Sequence, residues 1–112
     1  MAEVVIVLER RGNSLKPRQD DRTKGDVTSV PQGSTVMFRV EGADGTTIDF
    51  PNGNPFDVGA PISYGPPSRN VRPSLFVEGK RTAFRYRCHG KGPNGEPLDS
   101  EDGGGEIEIV KN

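Results

Sequence analysis

Tryptophan is absent, cysteine and histidine occur once each, as Cys88 and His89, and there are only two methionines. A lone cysteine forms no intrachain disulfide, which excludes the small secreted domains that use such staples in place of a core. No Gly-x-Ser-x-Gly turn exists for the single histidine to serve, so a serine-hydrolase triad is excluded as well. Long apolar runs are also missing. The longest, Val4 to Leu8, has five residues, where a membrane-crossing helix needs about 20. Neither sign of charge is in excess, with 15 basic against 16 acidic residues, so no global pull toward nucleic acid or anionic lipid follows. The opening Met1-Ala2-Glu3-Val4-Val5 lacks the basic segment and apolar stretch of a secretory signal, and the expected location is the cytoplasm.

Glycine and proline are plentiful, at 15 and 10 of 112 residues. Helices tolerate that density badly, whereas a small all-β fold with long turns accommodates it. The length suits one domain over residues 1–112, and with 30% hydrophobic residues its core is thin. No long segment keeps an apolar period of 3.6 residues, so no substantial helix is expected.

Glu3–Glu9 reads as a strand that is apolar on both faces and therefore interior to a sheet. Arg10–Gly25 is polar, carries Pro17 and reads as a long loop. Asp26–Val30 is a short strand ended by the Pro31-Gln32-Gly33 turn, and Ser34–Glu41 alternates, with Val36, Phe38 and Val40 on one face. After Gly42-Ala43-Asp44-Gly45 comes a β-branched strand, Thr46–Phe50. Pro51–Pro73, broken by repeated prolines and glycines, reads as an irregular crossing pinned to the core by Phe56, Ile62 and Tyr64. Leu75–Val77 and Thr82–Cys88 are strands, His89–Gly105 is a second long loop, and Glu106–Lys111 closes the domain. Seven to eight short strands with turn punctuation point to a two-sheet antiparallel sandwich.

Charge is unevenly distributed along the chain. Residues 69–91 carry seven basic residues against Glu78 alone, and residues 96–108 carry six acidic residues and no base. Phe84, Tyr86 and Cys88 share one face of their strand, and Arg85 and Arg87 the other. In the last strand Ile107 and Ile109 oppose Glu106 and Glu108. Antiparallel pairing of these two strands buries the apolar rows together and sets the arginines against the glutamates.

Three segments resemble one family. Val27 to Phe38, with its Gly33 turn and Thr35-Val36-Met37-Phe38, is similar to the strand–turn–strand entry of cupredoxins. Phe84-Arg85-Tyr86-Arg87-Cys88 resembles the cupredoxin strand that delivers the copper thiolate, and Gly105-Glu106-Ile107-Glu108-Ile109-Val110 resembles the family's final strand. Together they cover most of residues 26–111 and imply an all-β Greek-key sandwich. The family's copper site does not carry over. A type-1 centre takes two imidazoles and a thiolate with a weak axial ligand. Cys88 falls on the thiolate position, but no histidine stands near Thr47–Phe50, and neither His nor Met follows at the expected places after Gly90. The resemblance therefore implies the scaffold without blue copper and with no cofactor.

Other chemistry-bearing patterns have plainer accounts. Cys88 and His89 are adjacent, so an extended strand points them to opposite faces. A buried thiol followed by a loop histidine accounts for the pair, and the rival reading is a copper or zinc contact through both residues, shared between chains. Gly90-Lys91-Gly92-Pro93-Asn94-Gly95 matches G-x-G-x-x-G but lacks the following helix that a dinucleotide needs. Asp99 to Glu106 is acidic without the spacing of a calcium loop. A third reading gives the Arg69–Arg87 basic face an anion or a nucleic acid, against which Phe84 and Tyr86 alternate with the arginines instead of sharing their face. The reading adopted is a non-catalytic module that binds another protein, with no nucleic acid and no membrane. It presents the 51–73 and 89–105 loops, with Phe56, Tyr64 and Lys91 as the contact residues.

Overall fold

The computed structural model describes residues 3–57, 62–64, 70–71, 73–74, 77, 82–98 and 104–111. Among them are eleven strands and no helix: β1 (Glu3–Arg11), β2 (Ser14–Pro17), β3 (Thr23–Lys24), β4 (Val27–Pro31), β5 (Thr35–Glu41), β6 (Gly45–Asp49), β7 (Ile62–Tyr64), β8 (Asn70–Val71), β9 (Thr82–Lys91), β10 (Pro97–Leu98) and β11 (Gly105–Val110). They form two sheets in a sandwich-like arrangement. One runs β2-β1-β5-β8, the other β3-β4-β11-β9-β6-β7 with β10 on the edge of β9. No helix of the described residues is long and apolar enough to cross a membrane.

The sheets are mixed, which corrects the antiparallel expectation. β1 pairs with β5 in parallel, Glu3 beside Thr35, and β4 pairs with β11 in parallel, Val27 beside Glu106. Parallel neighbours need long crossovers. Here the chain leaves β1, builds β3 and β4 in the other sheet, and returns to β5 after the Pro31–Ser34 turn.

The strand count exceeds seven to eight because two expected loops contain hairpins. Within 10–25, β1 turns into β2 through Gly12-Asn13, and β3 turns into β4 through Gly25-Asp26. Gly12 and Gly25 have φ of 62° and 61°, which suits a two-residue turn with glycine at its first central position. In the second loop, β9 runs on to Lys91 and folds back so that Pro97 and Leu98 pair with Lys91 and Gly90. The 51–73 crossing includes β7 and β8 and the bridge of Phe56 to Pro73. Of the expected strand Leu75–Val77, only Val77 is described, and it is exposed and outside any strand.

The alternating rows meet between the layers. Val4, Ile6, Leu8, Val36 and Phe38 come from the first sheet, and Val30, Ile48, Tyr86, Cys88, Ile107 and Ile109 from the second, all at most 2% exposed. Aromatic rings fill the centre. Phe38 lies edge-on to Tyr86 at 5.6 Å and to Phe56 at 6.3 Å, and Phe50 reaches Phe56 at 5.5 Å. Such pairs add about 0.5–1.5 kcal/mol each beyond their buried area.

Tyr86 is seated against a pair of glycines. A Cβ on Gly104 would collide with the Tyr86 carbonyl, and one on Gly105 would lie 2.7 Å from its hydroxyl. Gly104 N–H donates to the Leu15 carbonyl at 2.8 Å, which ties the edge of β2 to the segment entering β11. The exposed rim is fastened by Arg18, whose Nη2 bridges Glu9 at 2.8 Å and Glu41 at 2.7 Å, two carboxylates that would otherwise face each other across β1 and β5. Its hydrogen bond holds the Glu9 carboxyl below the usual carboxylate range.

Candidate functional site

Strand β9 sorts the sequence-derived candidates onto two faces. Cys88 points inward and is 1% exposed. Burial pushes its thiol up to about 12, opposite to the shift of a reactive thiolate. Its neighbour on β6 is Ile48, fully buried, so an aliphatic side chain stands beside the thiol where the resemblance would require an imidazole. His89 is exposed on the other face of β9, beside Thr47. The two residues do not converge, and no group of three His, Cys, Asp or Glu side chains suited to a metal occurs among the described residues. The donor set does not fit a type-1 copper.

Phe56 is 5% exposed and belongs to the ring cluster. It pins the crossing to the core as expected, and for that reason is not a surface contact residue. Tyr64 lies in β7 opposite Thr46. Lys91 is exposed at the end of β9, opposite Gly45 on β6.

The glycine-rich G-x-G-x-x-G stretch is the β9–β10 hairpin. Gly92 N–H donates to the Glu96 carbonyl at 2.8 Å, Gly95 N–H to the Gly92 carbonyl at 2.9 Å, and Asn94 N–H to Glu96 Oε1 at 3.1 Å. Amides already used inside the turn cannot cradle a pyrophosphate. Arg10 Nη1 lies 3.5 Å from Glu96 Oε1 and fastens the hairpin to β1.

The outward row of β9 is Ala83, Arg85, Arg87, His89 and Lys91, all exposed. Arg85 is directly opposite Glu106, with Nη1 3.7 Å from its carboxylate. An Arg–Glu pair across the two strands is therefore present, but in a register two residues from the one that would match both arginines. Arg87 faces neither glutamate, because Gly105 opposes Tyr86 and Glu108 opposes Ala83. Its cross-strand neighbour is Asp49 of β6 instead. Arg69, Arg72, Lys80, Arg81 and the acidic residues of 99–102, which make up the rest of the basic face and the acidic loop, lie outside the described residues.

At the Lys91 end of the row, β6 and β9 form an open depression of about 560 Å³, lined by Asp44, Gly45, Thr47, His89 and Lys91 over the backbone of Thr46 and Gly90. Among the described residues, none of the Asp44, Thr47, His89 and Lys91 side chains takes part in a hydrogen bond or an ion pair. Sequence reading singled out Lys91 and His89 but not Asp44, Gly45 or Thr47. Their membership depends on which strand lies beside β9, and sequence order alone does not state this.

Comparison with protein-family models, curated proteins and solved structures returns no match.

Proposed function

We propose that this chain is a non-catalytic, cupredoxin-like binding module without blue copper, which docks another protein through the end of the sandwich formed by β6, β9 and the β9–β10 hairpin. Support for the scaffold comes from the two-layer all-β form and from the thiol strand β9 lying between β11 and β6. The non-catalytic reading is supported by the state of the thiol and the imidazole. The one thiol is buried beside Ile48 with its proton held tightly, and the one imidazole faces away from it.

The observation that carries the docking role is the exposed, unpaired His89–Lys91 end beside a hairpin held in shape by Arg10 and Glu96. Polar groups on a rigid β scaffold are where such folds place recognition. Two measurements test it. Titration with Cu(II) is expected to give neither stoichiometric uptake nor a thiolate-to-copper absorption band. Capture of a protein partner by the immobilised chain is expected to weaken with Lys91→Ala. A partner held equally by wild type and variant refutes this docking surface, and a blue 1:1 copper complex refutes the copper-free reading.

A further inference from the structure

Glycine at the head of β6 has no evident structural cause. Gly45 does not have a positive φ, and a Cβ built on it would meet nothing within 4 Å. Every other described glycine has a positive φ or is boxed in by an atom less than 3 Å from the Cβ it lacks. Glycine in a strand costs roughly 0.5–1 kcal/mol relative to alanine. Where neither backbone conformation nor packing requires it, a strand glycine is one of the marks of a site where a ligand or another chain approaches closely.

Three of the side chains around that space can donate a hydrogen bond. Lys91 stands opposite Gly45 and His89 opposite Thr47. An ammonium, an imidazole N–H and a hydroxyl therefore border a floor that carries no side chain. Arg87 is the next outward residue on β9, and successive outward residues are about 6.6 Å apart. Asp44 is the single carboxylate at the rim. Three donors around a glycine floor suit an oxyanion, since charge-assisted hydrogen bonds to carboxylate or phosphate are the strong ones. The face does not suit a nucleic-acid strand. Apart from His89, none of its described outward residues on β6, β9 and β11 is aromatic, and Asp49, Glu106 and Glu108 flank the cations.

We infer that the depression over Gly45 is an oxyanion-binding site, in which Lys91, His89 and Thr47 hold one carboxylate or phosphate group and Gly45 admits it. The inference rests on the reading of this end as a binding surface, but its test requires no protein partner. The oxyanion comes either from a free small molecule or from an acidic side chain of a docked protein, and separate titrants distinguish the two.

The amide resonances of the ¹⁵N-labelled chain are followed on adding inorganic phosphate, a short glutamate-containing peptide, or sodium chloride at matched ionic strength. Expected are saturable shifts at Gly45, Thr47, His89, Gly90 and Lys91 with phosphate or with the peptide, and not with chloride. Saturation by phosphate assigns a free anion, and saturation by the peptide alone assigns a side chain. Lys91→Gln is expected to weaken apparent affinity about tenfold or more. Gly45→Leu, whose Cβ meets no atom within 4 Å, is expected to abolish the shifts while the rest of the spectrum stays that of the folded chain. Shifts matched by chloride, absent with both titrants, or unchanged in Gly45→Leu overturn the assignment.

Discussion

Replacing Tyr86 with Phe removes one oxygen from the centre of the fold, and the structure sets the sign of the effect. The ring is 1% exposed, and its hydroxyl has no hydrogen-bond partner among the described residues. A hydroxyl buried without a partner costs about 1–3 kcal/mol in proteins. The ring contacts with Phe38 at 5.6 Å and Phe50 at 5.7 Å survive the change. The small void left by the oxygen takes back part of the gain. Tyr86→Phe is therefore expected to stabilise by about 1 kcal/mol, raising the melting temperature by about 4 °C for a domain of this size. Urea unfolding followed by far-ultraviolet circular dichroism measures it, with the midpoint shifting up and the slope unchanged. A loss of about 1 kcal/mol or more refutes the reasoning, because only a hydroxyl satisfied in the fold is worth that much.

The other expectations concern the thiol, the glycines and the register. Ellman's reagent is expected to leave Cys88 unmodified in the native protein and to react stoichiometrically in denaturant; rapid native labelling contradicts the buried placement. Burial raises the Cys88 thiol to about 12 and the Tyr86 phenol well above its usual range, so the folded state holds both protons more tightly than the unfolded chain. Their contribution to stability is complete below about 8.5, the unfolded thiol value, and is lost as pH rises, by up to a factor of ten in folding equilibrium constant per unit for each group. Denaturation midpoints at stepped alkaline pH test this, and a Cys88→Ala variant with an unchanged alkaline slope argues against the thiol's share. Gly104→Ala places a Cβ against the Tyr86 carbonyl at a φ of 108° and is expected to destabilise by roughly 2–3 kcal/mol; a neutral result by thermal melting contradicts the packing. A double-mutant cycle on Arg85 and Glu106 is expected to give a coupling of only about 0.2–1 kcal/mol, since Arg85 is exposed and its Nη1 stands 3.7 Å from the half-buried carboxylate; a larger value would mean the pair is shielded from water.

Period-two alternation made the core legible in the sequence. The inward rows at Val36–Phe38, Phe84–Cys88 and Ile107–Ile109 follow from it, as does the opposition of Cys88 to His89, because side chains of a strand must alternate. Both hairpins inside 10–25 were also there to be read. Gly12-Asn13 and Gly25-Asp26 are two-residue turns of the glycine-first kind, but the polar residues around them read as loop. Parallel pairing was not legible, because nothing in the local pattern of β4 or β11 says that strands 79 positions apart, Val27 and Glu106, are neighbours. The same limit explains Arg87: the positions of its charges were clear, and its partner depended on a register two residues from the one expected. The depression over Gly45 was hidden for a further reason, since a glycine after Asp44 reads as a turn and only the adjoining strand shows what stands opposite.

The central position of β11 governs the order in which the larger sheet can be completed. It lies between β4 and β9 and follows both of them in sequence. Until Gly105–Val110 has left the ribosome, those two strands have no shared neighbour and their unpaired edges face solvent. Such edges can pair with other chains. Cutting the chain just before Gly105 should yield an aggregate, not a smaller folded domain.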